Sequence, residues 1–510
     1  MGSRFLEAFE EMRCQHPNRI AYFTSRAGQD QALSYEQLGA HSDTLAFFLR
    51  SFAPQGLPVV VYGHKSPLML TAFLACVKAG LPYAPVDVAY PVDRVSDILE
   101  QIDKPLVLTF ADEPFPCDPS LAYDVVGKEA IESIIAGPGA PERTWQVSGD
   151  DIFYLLFTSG STGRPKGVQM PSRCVDSFMD YFQKLFPPCE NPISFNRVPY
   201  TFDVSLFDII AGLSQGYSLF ALESECEQSL ASTFDALAQS GLTAWVSTPS
   251  FVEMCLADPS FNRDLLPRLN TIVLCGEVFR NSTALKLIER FPTASIYNTY
   301  GPTETQAVTD ILVTRELAEE TNPLPVGYLN PEVQAVIRDL QTGEPLPEGE
   351  AGEVYLEGST VSLGYWKRPD LTEAAFTEHN SPSSSKIRCY KTGDKGYLDG
   401  EGRLFCLGRL DFQVKLNGFR VELGDVEQGI AQLPSIKEAV VLPVEKDGKV
   451  THLAAHVMLA DPDAPKDFKA AQNLKAQLKQ TLPDYMIPKK IVFHDSFPLT
   501  VNGKIDRKAL

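Results

Sequence analysis

An alternation of short apolar runs with helix-like patterns over the first 410 residues constrains the fold more than any other feature. Residues 59–63 form an apolar run typical of a buried strand, and residues 66–79 follow it with apolar side chains at helical spacing. The same alternation recurs at 91–110 and between 218 and 298. Because helices that alternate with strands cover the faces of a parallel sheet, we predict an α/β fold with parallel or mixed sheets.

The pattern changes twice towards the C-terminus. Residues 333–366 have the Gly/Pro turns of hairpin strands, and the last hundred residues indicate a separate small α+β domain. In that domain we predict helices at 424–433 and 468–482 and two strands joined through Asp447 and Gly448, a hairpin dipeptide. In the preceding part we predict a helix over 282–290 that is capped by its first residue, Ser282. We therefore expect a large N-terminal domain, 1–410, and a small C-terminal domain, 411–510.

Composition excludes several classes of function. The net charge of −20 argues against a nucleic-acid surface, which needs a basic face. No apolar stretch has the roughly 18 residues of a membrane span, and no signal sequence opens the chain, so we expect a cytoplasmic protein. Ten cysteines without a C-x-x-C pair indicate reduced thiols. His452 and His456 have i, i+4 spacing but no Glu in the H-E-x-x-H position, which disfavours a metal site.

Residues 157–167, F-T-S-G-S-T-G-R-P-K-G, follow an apolar run that is short enough to be one buried strand. The glycines allow close approach of the backbone to a ligand, and consecutive N–H groups and hydroxyls surround an anion, to which Lys166 adds charge. We predict a polyphosphate site, because a plain surface turn rarely has so ordered a composition. The spacing does not fit the G-x-x-x-x-G-K-[ST] loop.

Short motifs in a fixed order then cover almost the whole chain and resemble the ANL superfamily of adenylate-forming enzymes, in particular the amino-acid adenylation domains of nonribosomal peptide synthetases. The motifs are LSYEQL (33–38), VKAG with YAPVD (77–87), the phosphate loop (157–167), FDVS (202–205), NTYGPTE (298–304), YKTGD (390–394), GRLDFQVK with GFR (408–420), LPDYMIP (482–488) and NGKIDRK (502–508). The resemblance implies the ANL fold, with a β-barrel-like part in the large domain and a mobile small domain. It also implies ATP and Mg²⁺ as cofactors, and we expect a monomer.

The resemblance assigns roles in ATP binding residue by residue. Glu304 is the expected Mg²⁺ ligand, Tyr300 and Asn298 face adenine, Asp394 accepts from the ribose hydroxyls with Arg409 beside it, and Lys504 bridges the substrate carboxylate and the α-phosphate. The predicted ATP-binding set is Thr158, Ser159, Gly160, Ser161, Thr162, Gly163, Lys166, Asn298, Thr299, Tyr300, Gly301, Thr303, Asp394, Arg409 and Lys504. Lys504, Glu304 and Thr303 are the predicted catalytic residues.

The substrate handle is predicted at Asp203, because an acid between apolar Phe202 and Val204 is costly to bury unpaired and an α-ammonium would pair with it. The resemblance adds Phe207, Cys275, Thr299 and Lys504 to the substrate pocket. We hypothesise that Cys275 leaves room for a methyl group in one hand only, so that D-alanine is preferred over L-alanine. Cys275 as a nucleophile is the weaker reading, because no His–Asp partners are evident.

The second half-reaction transfers the acyl group to a thiol, and the resemblance makes Asp411 the hinge about which the small domain rotates, exchanging the Lys504 face for the Gly418 face. No G-G-x-S carrier motif occurs, so the thiol is expected in trans, on a phosphopantetheinyl carrier protein. Residues 61–64, 247–256 and 274–278 resemble the branch of the family that loads D-alanine for lipoteichoic acid and cell-wall decoration.

Two alternatives stay open. One is a stand-alone adenylation enzyme for another small amino acid in a peptide or polyketide pathway. The other is a non-catalytic nucleotide-binding protein, which the joint presence of Lys504, Glu304 and Asp394 disfavours.

Overall fold

The structure, a computed structural model, describes residues 2–24, 32–159, 164–222, 229–380, 386–411, 413–446, 449–498, 505 and 507–510. The helices are α1 (Arg4–Gln15), α2 (Tyr35–Phe52), α3 (Pro67–Lys78), α4 (Val92–Ile102), α5 (Lys128–Ile135), α6 (Ser172–Phe182), α7 (Leu230–Ser240), α8 (Pro249–Leu256), α9 (Asn281–Arg290), α10 (Arg315–Glu320), α11 (Pro369–Ala375), α12 (Leu423–Ala431) and α13 (Phe468–Leu478).

The strands are β1 (Ile20–Thr24), β2 (Leu33–Ser34), β3 (Val59–Tyr62), β4 (Tyr83–Val86), β5 (Leu106–Thr109), β6 (Asp124–Val126), β7 (Ile152–Thr158), β8 (Lys166–Pro171), β9 (Ile193–Phe195), β10 (Ser218–Ala221), β11 (Ala244–Ser247), β12 (Thr271–Leu274), β13 (Ser295–Tyr300), β14 (Thr309–Leu312), β15 (Tyr328–Leu329), β16 (Val333–Arg338), β17 (Gly352–Gly358), β18 (Phe376–Asn380), β19 (Lys386–Leu398), β20 (Leu404–Arg409), β21 (Gln413–Leu416), β22 (Phe419–Glu422), β23 (Ile436–Lys446), β24 (Lys449–Leu459) and β25 (Lys490–Phe493).

Two mixed sheets form the α/β part of the large domain and confirm the α/β prediction. Within the described residues one sheet has the order β6-β5-β3-β4-β7-β8, and the other has the order β15-β14-β13-β12-β11-β9-β10-β1-β2. Strands β3 and β11 are buried along their whole length, as continuous apolar runs in parallel sheets should be. Helices α2, α3 and α6 contribute to an apolar core that includes residues from both sheets. The carboxyl ends of the parallel strands carry the polar loops that form the site.

A third, antiparallel sheet occupies the predicted barrel-like part. Its order is β16-β17-β19-β18, with β20 paired to β19. Among the described residues these pairings form an open sheet rather than a closed ring. The sheet delivers Asp394 and Arg409, on neighbouring strands, to the edge of the site.

The small domain contains the hairpin β21–β22 and the sheet β23-β24-β25, and it has an apolar cluster of its own. Strands β23 and β24 pair antiparallel as predicted, while Asp447 and Gly448 lie outside the described residues. The predicted cap at Ser282 is wrong: α9 begins at Asn281, one residue earlier, after Arg280 as its N-cap without a side-chain hydrogen bond. Helix α13 ends at Leu478, before the predicted 482. In the described chain, no helix is both long and apolar enough for a membrane span.

Candidate active site

Glu304 lies in a tight turn that follows β13. A Cβ atom at Gly301 would overlap the carbonyl oxygen of Gln306, so the turn closes only with glycine at this point. Gln306 itself has a positive φ of 58° and donates a hydrogen bond from Nε2 to the hydroxyl of Tyr154, 2.9 Å away. The closed turn directs Glu304 inwards, where its side chain is 0% exposed.

Three side chains from separate parts of the chain surround the Glu304 carboxylate. Arg420 Nη1 lies 2.7 Å from Oε2, the Tyr365 hydroxyl donates to Oε1 at 2.7 Å, and Lys166 Nζ lies 3.6 Å from Oε1. Burial alone would raise the pKa of Glu304, but the charges of Arg420 and Lys166 outweigh it and hold the pKa well below its usual range. The carboxylate is therefore ionised and neutralised by the protein itself.

The described ends of the phosphate loop lie beside this cluster. Thr158 ends β7 and is the partner of Lys166 at the start of β8, and Ser159 Oγ donates to the carbonyl oxygen of Arg420 at 2.9 Å. The Thr158 hydroxyl is buried without a hydrogen-bond partner among the described residues. A buried hydroxyl of this kind is suited to a ligand that accepts a hydrogen bond. Predicted members of the loop that lie outside the described residues are Gly160, Ser161, Thr162 and Gly163.

A second polar group forms between β13 and the antiparallel sheet. The Tyr300 hydroxyl donates to Asp394 Oδ2 at 2.6 Å, and Arg409 Nη1 donates to Asp394 Oδ1 at 3.1 Å. Arg409 Nε also donates to Asp411 Oδ1 at 3.0 Å, so this arginine links the site to the segment that leads into the hairpin β21–β22. Asn298 is buried, and its Nδ2 donates to the carbonyl oxygen of Pro325 at 2.8 Å, which leaves Oδ1 as the group of that amide not held by this bond.

Asp203 begins a short 3₁₀ turn and has surroundings unlike those of Glu304. Its side chain is half-buried, and no ion pair within 4 Å involves it among the described residues. Burial raises the pKa of its carboxyl, and the hydrogen bond with Thr303 and the positive charges of Lys415 and Arg420 offset only part of that effect. A cation bound beside Asp203 would lower the pKa of this carboxyl further and so stabilise its charge.

Cys275, Thr299 and Phe207 are buried near Asp203. Burial, with the charge of Asp203 as a further contribution, raises the pKa of the Cys275 thiol to about 11, so the sulfur stays protonated at neutral pH and is a poor nucleophile. Thr299 donates from Oγ1 to the carbonyl oxygen of Leu274 at 3.0 Å. Phe207 packs edge-on against two rings of α6 and belongs to the same apolar cluster as Cys275.

The hairpin β21–β22 brings the Gly418 face of the small domain against the large domain. Gly418 has a φ of 88°, its N–H donates to Glu277 Oε1 at 2.6 Å, and a Cβ atom there would lie 2.5 Å from Thr248. Only glycine allows both this turn and this approach. Beyond the hairpin, Lys449 Nζ lies 2.6 Å from Glu253 Oε2. This ion pair is a second contact that holds the small domain in its orientation against the large domain. Lys504 lies outside the described residues.

A cavity of 390 Å³ remains between the hairpin and the large domain. Phe202 and Val204, the neighbours of Asp203, form part of its wall, and Met254 and Asn417, both exposed, form another part. The cavity therefore connects the surface with the loop that carries Asp203.

Sequence reasoning found most of these groups but missed several of their partners. Tyr365 lies in no predicted motif, and Lys415 and His64 lie in the stretches 408–415 and 61–64, from which no role for either side chain was predicted. Arg420 was visible only as part of a motif, and its contact with Glu304 depends on how the two domains meet.

Comparison with known proteins covers the whole chain. The family model of the AMP-binding enzymes matches residues 9–366, and the model of the C-terminal domain of AMP-binding enzymes matches residues 425–504. A D-alanine–D-alanyl carrier protein ligase of Bacillus mycoides (strain KBAB4) is 40% identical over 511 aligned positions, which cover 99% of each chain.

Solved structures agree in fold. Holo-PA1221, an NRPS protein with adenylation and PCP domains bound to a vinylsulfonamide inhibitor, superposes with a TM-score of 0.81 at 26% identity, over 100% of this chain and 84% of that one. The o-succinylbenzoate CoA synthetase MenE of Bacillus subtilis gives a TM-score of 0.82 at 20% identity, over 100% of this chain and 98% of that one.

Proposed function

The chain belongs to the AMP-binding enzyme family, and from that premise we propose that it is an ATP-dependent, AMP-forming ligase that activates D-alanine and transfers it to the thiol of a carrier protein. The observation that carries the amino-acid part of this proposal is the contrast at Asp203. This carboxylate lies half-buried with a raised pKa, beside a site whose other carboxylate is fully neutralised. An α-ammonium group supplies the missing charge.

In the first half-reaction the substrate carboxylate attacks the α-phosphate and pyrophosphate leaves. Both reactants are anionic, so the protein's task is neutralisation and alignment. Lys166 and the loop from Thr158 hold the β- and γ-phosphates, and Lys504 bridges the substrate carboxylate and the α-phosphate. Asp394 binds the ribose hydroxyls with Arg409 beside it, and Tyr300 and Asn298 flank the adenine.

Glu304 fits a Mg²⁺ ion, because a carboxylate oxygen next to bound phosphates is the ligand that this ion prefers. Such an ion supplies charge neutralisation for the departing pyrophosphate. Arg420 occupies Oε2 in the present arrangement, so metal binding at that oxygen requires the hairpin to withdraw. This requirement supports two domain orientations, with Lys504 serving the first half-reaction and the Gly418 face the second.

Substrate size is set around Asp203. We infer that the thiol of Cys275 fills space that a larger α-substituent would need; Cys275, Phe207 and Thr299 are all buried. The name of the relatives that are 40% identical over the full length gives D-alanine as the acid and a carrier protein as the acceptor. The cavity beside Gly418 suits the thiol arm of such an acceptor.

We place the domain boundary at residues 410 and 411, with Asp411 as the hinge. The Arg409–Asp411 pair lies at this junction, and a rotation about the hinge would exchange the two faces. A cytoplasmic location is supported by nine free cysteines among the described residues, since such thiols persist in reducing compartments.

An ATP–pyrophosphate exchange panel over both hands of small amino acids tests the proposal. Exchange should be strongest with D-alanine. Strongest exchange with a larger or an L-amino acid would replace D-alanine by that substrate, and no exchange with any acid would overturn the enzymatic assignment.

Asp411→Pro tests the hinge. A proline restricts the backbone rotation, so thioester formation should fall at least tenfold more than exchange. Equal loss of both half-reactions would contradict the assignment of the hinge to this residue.

A further inference from the structure

His64 and Asp87 form a hydrogen-bonded pair at the carboxyl ends of two neighbouring strands. His64 follows β3 and Asp87 follows β4, and His64 Nδ1 lies 2.8 Å from Asp87 Oδ2. Asp87 is buried and also accepts from the N–H of Ala89 at 3.0 Å, which fixes the orientation of its carboxylate.

This pair defines the state of the imidazole. An ionised carboxylate only accepts hydrogen bonds, so Nδ1 is the donor in this pair and Nε2 is the ring nitrogen that this bond does not hold. A histidine whose Nδ1 is hydrogen-bonded to a buried acid, with Nε2 directed elsewhere, has the arrangement of an oriented general base.

The pair also borders the cavity proposed for the acceptor thiol. His64 lines the 390 Å³ cavity that reaches from Met254 at the surface to Phe202 and Val204 on either side of Asp203. Its side chain is 28% exposed, while that of Asp87 is 9% exposed, so the imidazole faces the cavity and the acid lies behind it. None of the groups assigned to adenylation contacts this pair among the described residues.

We propose that His64, oriented by Asp87, is the general base that deprotonates the acceptor thiol in the second half-reaction. This inference rests on the proposed function, because it requires an acyl-adenylate and a thiol. The S–H proton passes to Nε2 as the sulfur attacks the acyl carbon. The new C–S bond forms, the bond from the acyl carbon to the phosphate oxygen breaks with its electron pair, AMP leaves, and the imidazolium returns its proton to water. Asp87 stays ionised and stabilises the imidazolium.

The physical need for such a base follows from the thiol. An alkyl thiol is largely protonated at neutral pH, whereas the thiolate is the nucleophile. The acyl-adenylate needs no further activation as an acyl donor, so removal of the thiol proton is the proton transfer that the second half-reaction requires. Positioned proton transfer contributes roughly 10²–10⁴-fold to a rate.

Several other titratable groups lie around the pair and bear on any pH measurement. They include Lys65, the next residue in the chain, Arg197 in the cavity wall, and Glu277, which accepts a hydrogen bond from the N–H of Gly418. Tyr62 and Tyr485 belong to this group too, because, besides burial, the charge of Asp87 contributes to raising the pKa of both. The test therefore compares variants at the pair with a variant of the same cavity that carries no titratable group.

The experiment uses the full-length protein, the amino acid that gives exchange, and D-pantetheine as the thiol probe. The adenylate is first formed with ATP and pyrophosphatase, and thioester formation is then followed in a single turnover. Hydroxylamine, which attacks without a proton transfer of this kind, titrates the adenylate in parallel. For His64→Gln the ratio of thiol transfer to hydroxamate formation should fall about 100-fold, and for Asp87→Asn about tenfold.

The pH profile distinguishes a base from a packing residue. In the parent protein the transfer rate should reach a plateau as the pH rises, because a side-chain base and not hydroxide accepts the thiol proton. In His64→Gln it should instead increase in proportion to hydroxide. Met254→Ala, which empties space in the same cavity, should keep the shape of the parent profile.

Three results would overturn the proposal: an unchanged transfer ratio in His64→Gln, a reduced ratio with the profile of the parent, or a changed profile in Met254→Ala. Melting temperatures show whether each variant is folded. If His64→Gln does not fold, Asp87→Asn supplies the test. Failure of the proposed function itself is distinct, because the parent would then form no hydroxamate with any amino acid.

Discussion

The two carboxylates of the site, Glu304 and Asp203, have opposite surroundings although both belong to or contact the turn from residue 301 to 306: Glu304 lies in the turn, and Thr303 hydrogen-bonds Asp203. Glu304 is fully enclosed by Arg420, Lys166 and the Tyr365 hydroxyl, and its pKa is depressed. Asp203 has the Thr303 hydrogen bond, no ion pair within 4 Å among the described residues, and a raised pKa. The difference separates a carboxylate that the protein has already neutralised from one that still needs a cation.

From this contrast we infer a division of roles between the two sides of the site. We propose that the Glu304 side, where Lys166 and Arg420 supply positive charge, binds phosphate and metal. We propose that the Asp203 side recognises the amino group of the substrate. The following variants test the contrast in order of decreasing effect.

Glu304→Gln removes the acid but leaves Arg420 and Lys166 buried without their counter-charge. Breaking a buried ion pair of this kind costs about 3–5 kcal/mol of stability. We expect a lower melting temperature and a loss of about 10³-fold in pyrophosphate exchange, because the Mg²⁺ ligand is also lost. Calorimetry and exchange over a Mg²⁺ titration measure both effects.

Glu332→Gln is the matched control. Glu332 accepts hydrogen bonds from Ser177 and Ser359 outside the site, so its removal should leave exchange within about twofold. Normal exchange in Glu304→Gln would contradict the assignment of the phosphate side.

Asp203→Asn removes the proposed partner of the α-ammonium. Exchange with D-alanine should fall about 10²-fold, because truncating one member of a buried charge pair costs roughly 2–5 kcal/mol. Steady-state exchange kinetics should place the loss in kcat/KM for the amino acid, with KM for ATP little changed. Asp180→Asn, at a surface pair with Arg4, is the control. An equal loss of ATP affinity would indicate a structural role instead.

Cys275→Ala tests whether the buried Cys275 side chain selects between D- and L-alanine in the proposed substrate pocket. The smaller side chain opens space beside the α-carbon, so the ratio of D- to L-alanine exchange should decrease about tenfold, the scale of discrimination by one methyl group. Parallel exchange assays with the two enantiomers measure this ratio. If the ratio stays unchanged, Cys275 does not select the hand of the substrate.

The smallest effect concerns pH and stability without ligands. The depressed pKa of Glu304 contributes stability that is present above its unfolded pKa, near 4.5, and that is lost as the pH falls towards the folded value. The raised pKa of Asp203 acts in the opposite sense: its contribution to stability is fully present below its unfolded pKa, near 3.8, and is lost as the pH rises through the folded value.

Asp203→Asn should therefore raise the melting temperature by about 1 °C at pH 7, and this gain should disappear on acidification. Thermal scans from pH 4 to 8 measure the trend. A lower melting temperature of Asp203→Asn at pH 7 would show that the carboxylate is already satisfied within the protein.

The sequence by itself determined the α/β class, because alternating buried strands and helices leave few other ways to cover apolar strands. It also predicted the phosphate loop, Glu304, Asp394 and Asp203 as site residues, since each lies in a motif whose local pattern is distinctive; their roles stay predictions. Helix ends were less predictable: α9 begins without a side-chain cap, one residue before Ser282, because tertiary packing rather than a local hydrogen bond sets its start.

Only the tertiary structure decided which charges meet. Glu304 contacts Lys166, Tyr365 and Arg420, which are 138, 61 and 116 residues away in the chain. His64 lines a cavity between the large domain and the hairpin of the small domain. No local pattern encodes such contacts, since they depend on strand order and on the orientation of the small domain. The sequence motifs therefore predict the class of reaction, whereas the packing of the domains determines which charged groups and proton acceptors lie next to one another.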